Sequence, residues 1–277
     1  MGIGQLTESN YHTPAANMEY VSHSQIIDFC GTLGRKGCEC KALAKAKGEW
    51  QDPMTTALMV GSYVDAALTG DLDKFIAEHP EIISSRGDTK GELKKDYRDA
   101  NVMIERAKRE PLFMRYLEGD KQRIMTGEIC GVPVKIKIDS TDDKRITDLK
   151  TCKNLSDTFY ARDLDQHLNV CEIWGWDIEA ALYTSVYEQN TGKRLPFYLA
   201  AITKESENGV PHPRVAVVQI TESMIDSGMK FIESNIRKIQ RIKTGEIEPV
   251  PCGTCSWCAD NLSLTEVISS DELLLEV

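Results

Sequence analysis

The chain has 277 residues, 41% of them hydrophobic, and a net charge of −10. That is enough for one large domain or two small ones of ordinary folded composition. No stretch approaches 18 uninterrupted apolar residues, which excludes a transmembrane helix, and the acidic charge argues against a simple basic DNA-binding surface.

Residues 1–20 are polar and irregular, and a flexible arm is expected there. The N-terminus MGIGQLTESNYHTPAAN lacks the basic segment and apolar core of a signal peptide, so a cytoplasmic location is expected. Ser22-His23-Ser24 offers an N-cap for a helix running into Phe29 and Cys30. A second short helix is expected over 40–49. Met54–Leu68 is apolar enough for a buried helix, with Pro53 suited to its first turn. Further helices are expected over 71–79 and 88–118. Strands follow at about 122–130, 133–139 and 145–151, and then a long helical stretch from about 156 to 188. Pro196–Lys204 and Arg214–Ile220 look like two more strands. In 221–243, Ile225, Ile232, Ile239 and Ile242 recur with a helical period. The last residues, 259–277, hold five acids and no base, an acidic tail that carries half the excess charge.

Residues 131–151, GVPVKIKIDSTDDKRITDLKT, carry the most chemistry. Side chains alternate along a strand, so Val134, Ile136 and Ile138 point one way and Lys135, Lys137 and Asp139 the other. Asp148 and Lys150 share a face of the next strand. A turn over Ser140–Lys144 would fold the pair into a hairpin and bring two carboxylates and an ammonium together. Hard carboxylate oxygens suit Mg²⁺ or Mn²⁺. A lysine beside the metal can orient an attacking water, which is the minimal equipment for phosphodiester hydrolysis.

The order Asp139, then Asp148-Leu149-Lys150, resembles the PD-(D/E)XK nuclease superfamily. More narrowly, the chain is similar to the phage and prophage exodeoxyribonuclease VIII-like (RecE-like, RecB-type) proteins. GEW at 48–50, ALMVGSYVDAALTG at 57–70, MTGEICGVPVKIKID at 125–139, DLKT at 148–151 and PFYLAAITKE at 196–205 support the closer match. The resemblance covers about residues 20–258. It implies an α/β fold: a restriction-endonuclease-like core with a central mixed sheet flanked by helices and a helical N-terminal section. A single nuclease domain over 21–258 is expected.

The resemblance also implies site residues. A histidine often stands four residues after the glycine matching Gly61 and binds metal; Asp65 holds that place here. Metal would be held by Asp65, Asp139, Asp148 and the Leu149 carbonyl, with Lys150 activating water. Relatives carry Gln-x-x-x-Tyr on the following helix. Gln166 matches the glutamine, but Val170 stands where the tyrosine would be. His167 reads as a structural helix histidine, and Lys204 as an exposed lysine at a strand end, with contact to DNA as the alternative.

Cys252-Gly-Thr-Cys255-Ser-Trp-Cys258 places three thiolates at metal-binding spacing. A closed site needs a fourth ligand from upstream, and Cys38, Cys40 and Cys30 are candidates. RecB-type relatives bind a [4Fe–4S] cluster with one distant N-terminal cysteine, and their pattern points to Cys38. Zinc is the alternative. Cys130, Cys152 and Cys171 read as core thiols.

What the resemblance implies, then, is a Mg²⁺-dependent DNA exonuclease acting at linear duplex ends for phage-type recombination. Homo-oligomeric rings around DNA and a single-strand annealing partner come with it. The alternatives are a Cas- or repair-type single-strand nuclease and a catalytically silent protein of the same fold that binds or inhibits a partner.

Overall fold

The computed structural model describes residues 5–32, 34–161, 165–263, 267 and 269–270. The chain starts with α1 (Pro14–Glu19), α2 (His23–Cys30), the two-residue strands β1 (Gly31–Thr32) and β2 (Arg35–Lys36), and α3 (Glu39–Lys47). A helical layer follows: α4 (Thr56–Thr69), α5 (Leu72–Glu78), α6 (Lys95–Lys108) and α7 (Pro111–Tyr116). Then come β3 (Asp120–Ile129), β4 (Val132–Thr141) and β5 (Ile146–Cys152), a small hairpin of β6 (Thr158–Ala161) and β7 (Gln166–Asn169), and the helices α8 (Val170–Trp174) and α9 (Trp176–Thr191). The chain continues through β8 (Phe197–Thr203), a tight β9 (Ser206–Glu207) and β10 (Val210–Pro211) pair, β11 (Val215–Gln219), α10 (Glu222–Lys243) and α11 (Ser256–Asn261).

Five strands form the central sheet in the order β11-β8-β5-β4-β3. Only β5 and β8 run parallel; the other neighbours are antiparallel. The long crossover through α8 and α9 is what a parallel pair requires. β8, FYLAAIT, is buried along nearly its whole length, as a near-continuous apolar central strand should be. One core packs α2, α9 and α10 against Val134, Ile136, Ile138, Phe197 and Leu199. A second packs α4, α6 and α7 against Ala200 and Ile202 from the opposite side of β8. The result is the mixed sheet between helical layers that the family resemblance implies.

Local signals explain several boundaries. Ser22 and Gln25 form a reciprocal capping box at α2. Thr55 accepts from the Leu58 amide, so α4 begins after Pro53 rather than around it. The buried stripe of α10 is Ile225, Ile232, Ile236, Ile239 and Ile242. A Cβ on Gly228 would lie 2.5 Å from the Asp177 carbonyl oxygen, so glycine there lets α10 close onto the start of α9.

Three expectations change. Residues 88–118 are helical only over Lys95–Lys108 and Pro111–Tyr116, with Pro111 opening the second helix. The helix expected from about 156 to 188 begins only at Val170, because Thr158–Ala161 and Gln166–Asn169 pair as a hairpin. Asn169 and Glu172 form a capping box that starts the helix there. The expected loose arm instead folds against the sheet over its described part, residues 5–20, burying Leu6, Tyr11 and Ala16. Lys135 explains why: its buried ammonium donates to the Tyr11 carbonyl at 2.5 Å and to Asn17 Oδ1 at 2.8 Å. Most of the expected acidic tail, 259–277, lies outside the described residues, and its first three residues belong to α11. No helix among the described residues is long and apolar enough to cross a membrane.

Candidate active site

The site lies where β4 and β5 part. Their antiparallel pairing covers only Ser140↔Thr147 and Thr141↔Ile146. Asp142 holds the turn between them, its Oδ1 accepting from the amides of Lys144 and Arg145. One residue beyond the last pair, the Asp139 side chain fills the gap, and its Oδ2 accepts from the Leu149 amide at 3.0 Å. A backbone donor that would have joined a sheet ladder thus fixes a carboxylate instead.

Asp148 and Lys150 lie on the same side of β5. Lys150 Nζ stands 2.6 Å from Asp148 Oδ2 and 2.7 Å from Glu179 Oε2, which comes from α9. His23 braces that helix start: its Nε2 lies 3.0 Å from the Gly175 carbonyl, which can only accept, and Nδ1 faces Glu179 Oε1 at 3.5 Å. One turn after Glu179, the Tyr183 hydroxyl donates to the Lys137 carbonyl at 3.2 Å.

From the other helical layer, α4 brings Asp65. A Cβ on Gly61 would come within 3.1 Å of Thr151 Oγ1, so glycine permits the close approach of α4 to β5. Asp65, one turn later, then lines the same cavity as Asp139, Leu149 and Lys150. This cavity is about 820 Å³ and also takes in Leu58, Trp174, Trp176, Lys153 and Lys204.

The electrostatics follow from burial and like charge. Burial, then the neighbouring Asp148, raises Asp139 to about 7. Burial, then Glu179, raises Asp148 to about 7. Burial, then Asp139, raises Asp65 to about 6. Burial alone would lower Lys150, but Asp148 and Glu179 together push it well above its ordinary value and fix it as an ammonium.

Four carboxyl groups therefore share this region with the Lys150 ammonium, which contacts two of them, while Lys121 and Lys137 act on Asp65. Asp148 Oδ2 and Glu179 Oε2 are buried with no aligned hydrogen bond, their contact with Lys150 being ionic. A hard divalent cation fits this donor set: it would supply the missing positive charge and use the free lone pairs. Among the described residues these oxygens do not close as tightly as the cysteine sulfurs below. Magnesium keeps several waters and needs only one or two carboxylates.

The family model of a PDDEXK-like domain of unknown function, DUF3799, matches residues 22–261. The chain belongs to this PDDEXK-like family. Among solved structures it is similar to a crystal structure from Eubacterium rectale named "Putative exonuclease", with 39% identity and a TM-score of 0.92. The match covers 99% of this chain and 100% of that one. Among curated proteins none matches. The mixed five-stranded sheet with its flanking helices is the PDDEXK-like nuclease fold.

Within this PDDEXK-like fold, Asp65, Asp139, Asp148, Leu149 and Lys150 come together. Gln166 does not join them. It sits exposed on β7, paired with Ala161, and does not line the cavity. His167 is exposed beside the Tyr160 ring. The i, i+4 pair that points from the helix toward the cluster is Glu179 and Tyr183, not Gln166 and Val170. Their signal in the sequence is a Glu-x-x-x-Tyr spacing, which takes this place because the helical run starts at Val170. Lys204 lines the cavity and donates to the Ala57 carbonyl at 3.0 Å.

The cysteines form a second centre. The sulfurs of Cys38, Cys252, Cys255 and Cys258 all lie within 4.8 Å of one another. Cys38 Sγ is 3.7 Å from Cys258 Sγ across 220 residues of chain, and Cys252 Sγ is 4.0 Å from Cys258 Sγ. Burial opposes ionisation of Cys252, but donors on Thr254 and Cys255 outweigh it and bring the thiol to about 6. Cys40 turns away to the Pro249 carbonyl. Cys171 is buried in the main core, with Cys30, Cys130 and Cys152 half-buried against it.

Proposed function

We propose that the protein is a metal-dependent deoxyribonuclease that degrades linear duplex DNA from its ends. The observation that carries this is the convergence of Asp65, Asp139, Asp148 and Lys150 at the opening between β4 and β5. Mg²⁺ or Mn²⁺ would be held by Asp139, Asp148 and the Leu149 carbonyl, with Asp65 completing the set. The bound ion supplies Lewis-acid stabilisation of charge on the scissile phosphate and leaving oxygen.

The chain's own residues do the rest. Asp139 is pre-oriented by the Leu149 amide, so ligand placement costs little reorganisation at the moment of reaction. Lys150, fixed as an ammonium by two carboxylates, orients the attacking water and offsets phosphate charge rather than accepting a proton. Glu179 and Tyr183 hold Lys150 and the β4 backbone in register. The family likeness extends the reading to end resection for recombination, by homo-oligomers and alongside a single-strand annealing protein.

The test is purified protein with linear duplexes labelled at either end, with Mg²⁺ and with EDTA. Linear DNA should be digested only with metal, and covalently closed circles spared. Rapid cutting of closed circles would make it an endonuclease. Binding without cutting under several divalent metals would support a catalytically silent protein.

The four-cysteine centre is a structural staple in this reading. A tetrahedral ion with metal–sulfur bonds of about 2.3 Å sets its sulfurs about 3.8 Å apart. The closest sulfur pairs here match that spacing. In a [4Fe–4S] cube each thiolate binds a different iron, which spreads the sulfurs further. The short sulfur pairs support a single ion such as zinc, while the layout of the sequence supports an iron–sulfur cluster. Metal analysis of anaerobically purified protein decides: stoichiometric zinc in a colourless sample, or a brown sample with about four irons per chain.

A further inference from the structure

The cavity beside the carboxylates is lined by apolar as well as charged side chains. Its rim and wall include Ala57, Leu58, Trp174 and Trp176. Leu58 is 58% exposed and Trp174 is 48% exposed, and both open onto this cavity. Trp176 is buried in the main core and forms fixed wall. Trp174 ends the short α8, clamped between the β6–β7 hairpin and the Gly175 turn into α9, so its position is set by packed elements on both sides. Two lysines, Lys153 and Lys204, line the same cavity, and Lys153 is exposed. An indole face, an aliphatic neighbour and flanking ammonium groups match the parts of one nucleotide: base, sugar and phosphate.

We propose that this cavity binds the unpaired terminal nucleotides of the DNA strand being cut, with Trp174 stacking on a base. This rests on the nuclease reading above, because a scissile phosphate at Asp139 and Lys150 must carry its own nucleoside into the adjoining space. Inside a duplex both faces of a base are covered by neighbouring pairs, and at a blunt end only the outer face of the last pair is open, so a base carried into this cavity with its own face on Trp174 must first leave the stack. The volume, about 820 Å³, lies within the range of small-ligand pockets and suits a short length of single strand rather than a duplex. The substrate at the moment of cleavage is therefore a frayed or single-stranded end, and the enzyme should prefer one.

The test uses the full chain and a short oligo(dT), as continuous strand and with tetrahydrofuran abasic residues at the terminal positions. Binding is read by fluorescence anisotropy in EDTA, and cleavage in Mg²⁺ or Mn²⁺. Trp174→Ala should weaken binding of the intact strand roughly 5- to 150-fold and raise KM more than it lowers kcat. Trp174→Phe should restore most of the affinity. The abasic strand should bind wild type as weakly as the intact strand binds Trp174→Ala, and the variant should lose nothing further on it. Independent, additive losses would overturn the stacking assignment, as would unchanged binding by a folded Trp174→Ala. Because binding is measured without metal, absence of cleavage would count against the nuclease reading while leaving the stacking result to be judged by itself.

Discussion

Replacing Lys150 by methionine tests the electrostatic account of the site. The ammonium is the shared partner of Asp148 and Glu179, whose side chains are each 6% exposed, and it is itself 20% exposed. Breaking a buried ion pair from one side costs about 3–5 kcal/mol, because the remaining charge is left without a partner. Two carboxyl groups lose their shared partner here. Burial and Glu179 already raise Asp148 to about 7, above its unfolded value near 3.8. The folded state then binds more protons than the unfolded state between those values, so the metal-free wild type loses stability as pH rises from about 4 to about 7. Removing Lys150 raises Asp148 further and extends that loss to higher pH. The variant should therefore unfold below wild type by a margin that widens from pH 5 to roughly 6–20 °C at pH 8, at roughly 2–4 °C per kcal/mol. Added Mg²⁺ should narrow the gap at pH 8 by compensating the carboxylates. Thermal unfolding from pH 5 to 8, with and without Mg²⁺, measures all of this. A deficit that is the same at every pH, or no deficit at pH 8, would refute the charge balance described for the cluster.

Asp139→Ala and Asp148→Ala should each abolish metal-dependent DNA degradation, by at least about 100-fold, while the circular dichroism of the fold persists; wild-type rates in both, with contaminating nuclease excluded, would remove the assigned site. Because Asp139 and Asp148 hold protons up to about 7 and Asp65 up to about 6, binding of Mg²⁺ at pH 6.5 should release protons into a weakly buffered solution. Calorimetry in buffers of different ionisation enthalpy would show the release, and buffer-independent heats would contradict it. Cys38→Ser should discharge the bound metal and lower the unfolding temperature, since that ligand closes a long loop onto Cys258. Cys171→Ser, in the apolar core, should keep the metal; equal metal loss in both variants would undo the ligand assignment.

How much of this was legible in the sequence depended on range. Period-two alternation over residues 132–141 and the spacing of Asp139, Asp148 and Lys150 placed the hairpin of the candidate site, because neighbours in a hairpin are set by local geometry. The same locality identified Cys252, Cys255 and Cys258 and the apolar stripe of α10. It failed over 158–169, where a β-hairpin and a capped helix share residues that read equally well as one helix.

The residues that complete the site come from elsewhere in the chain. Glu179 reaches Lys150 only because α9 packs across the sheet, and Asp65 reaches Asp139 only because Gly61 lets α4 approach β5. Cys38 rather than Cys40 joins the C-terminal cysteines through the packing of α3 beside α11. The N-terminal residues look polar and loose by composition, yet they are held by a buried lysine on β4 that needs their carbonyls. Composition and periodicity report what a segment prefers by itself. Which distant carboxylate meets which ammonium is decided by side chains that must pair once the core has removed them from water, and that pairing exists only in the folded chain.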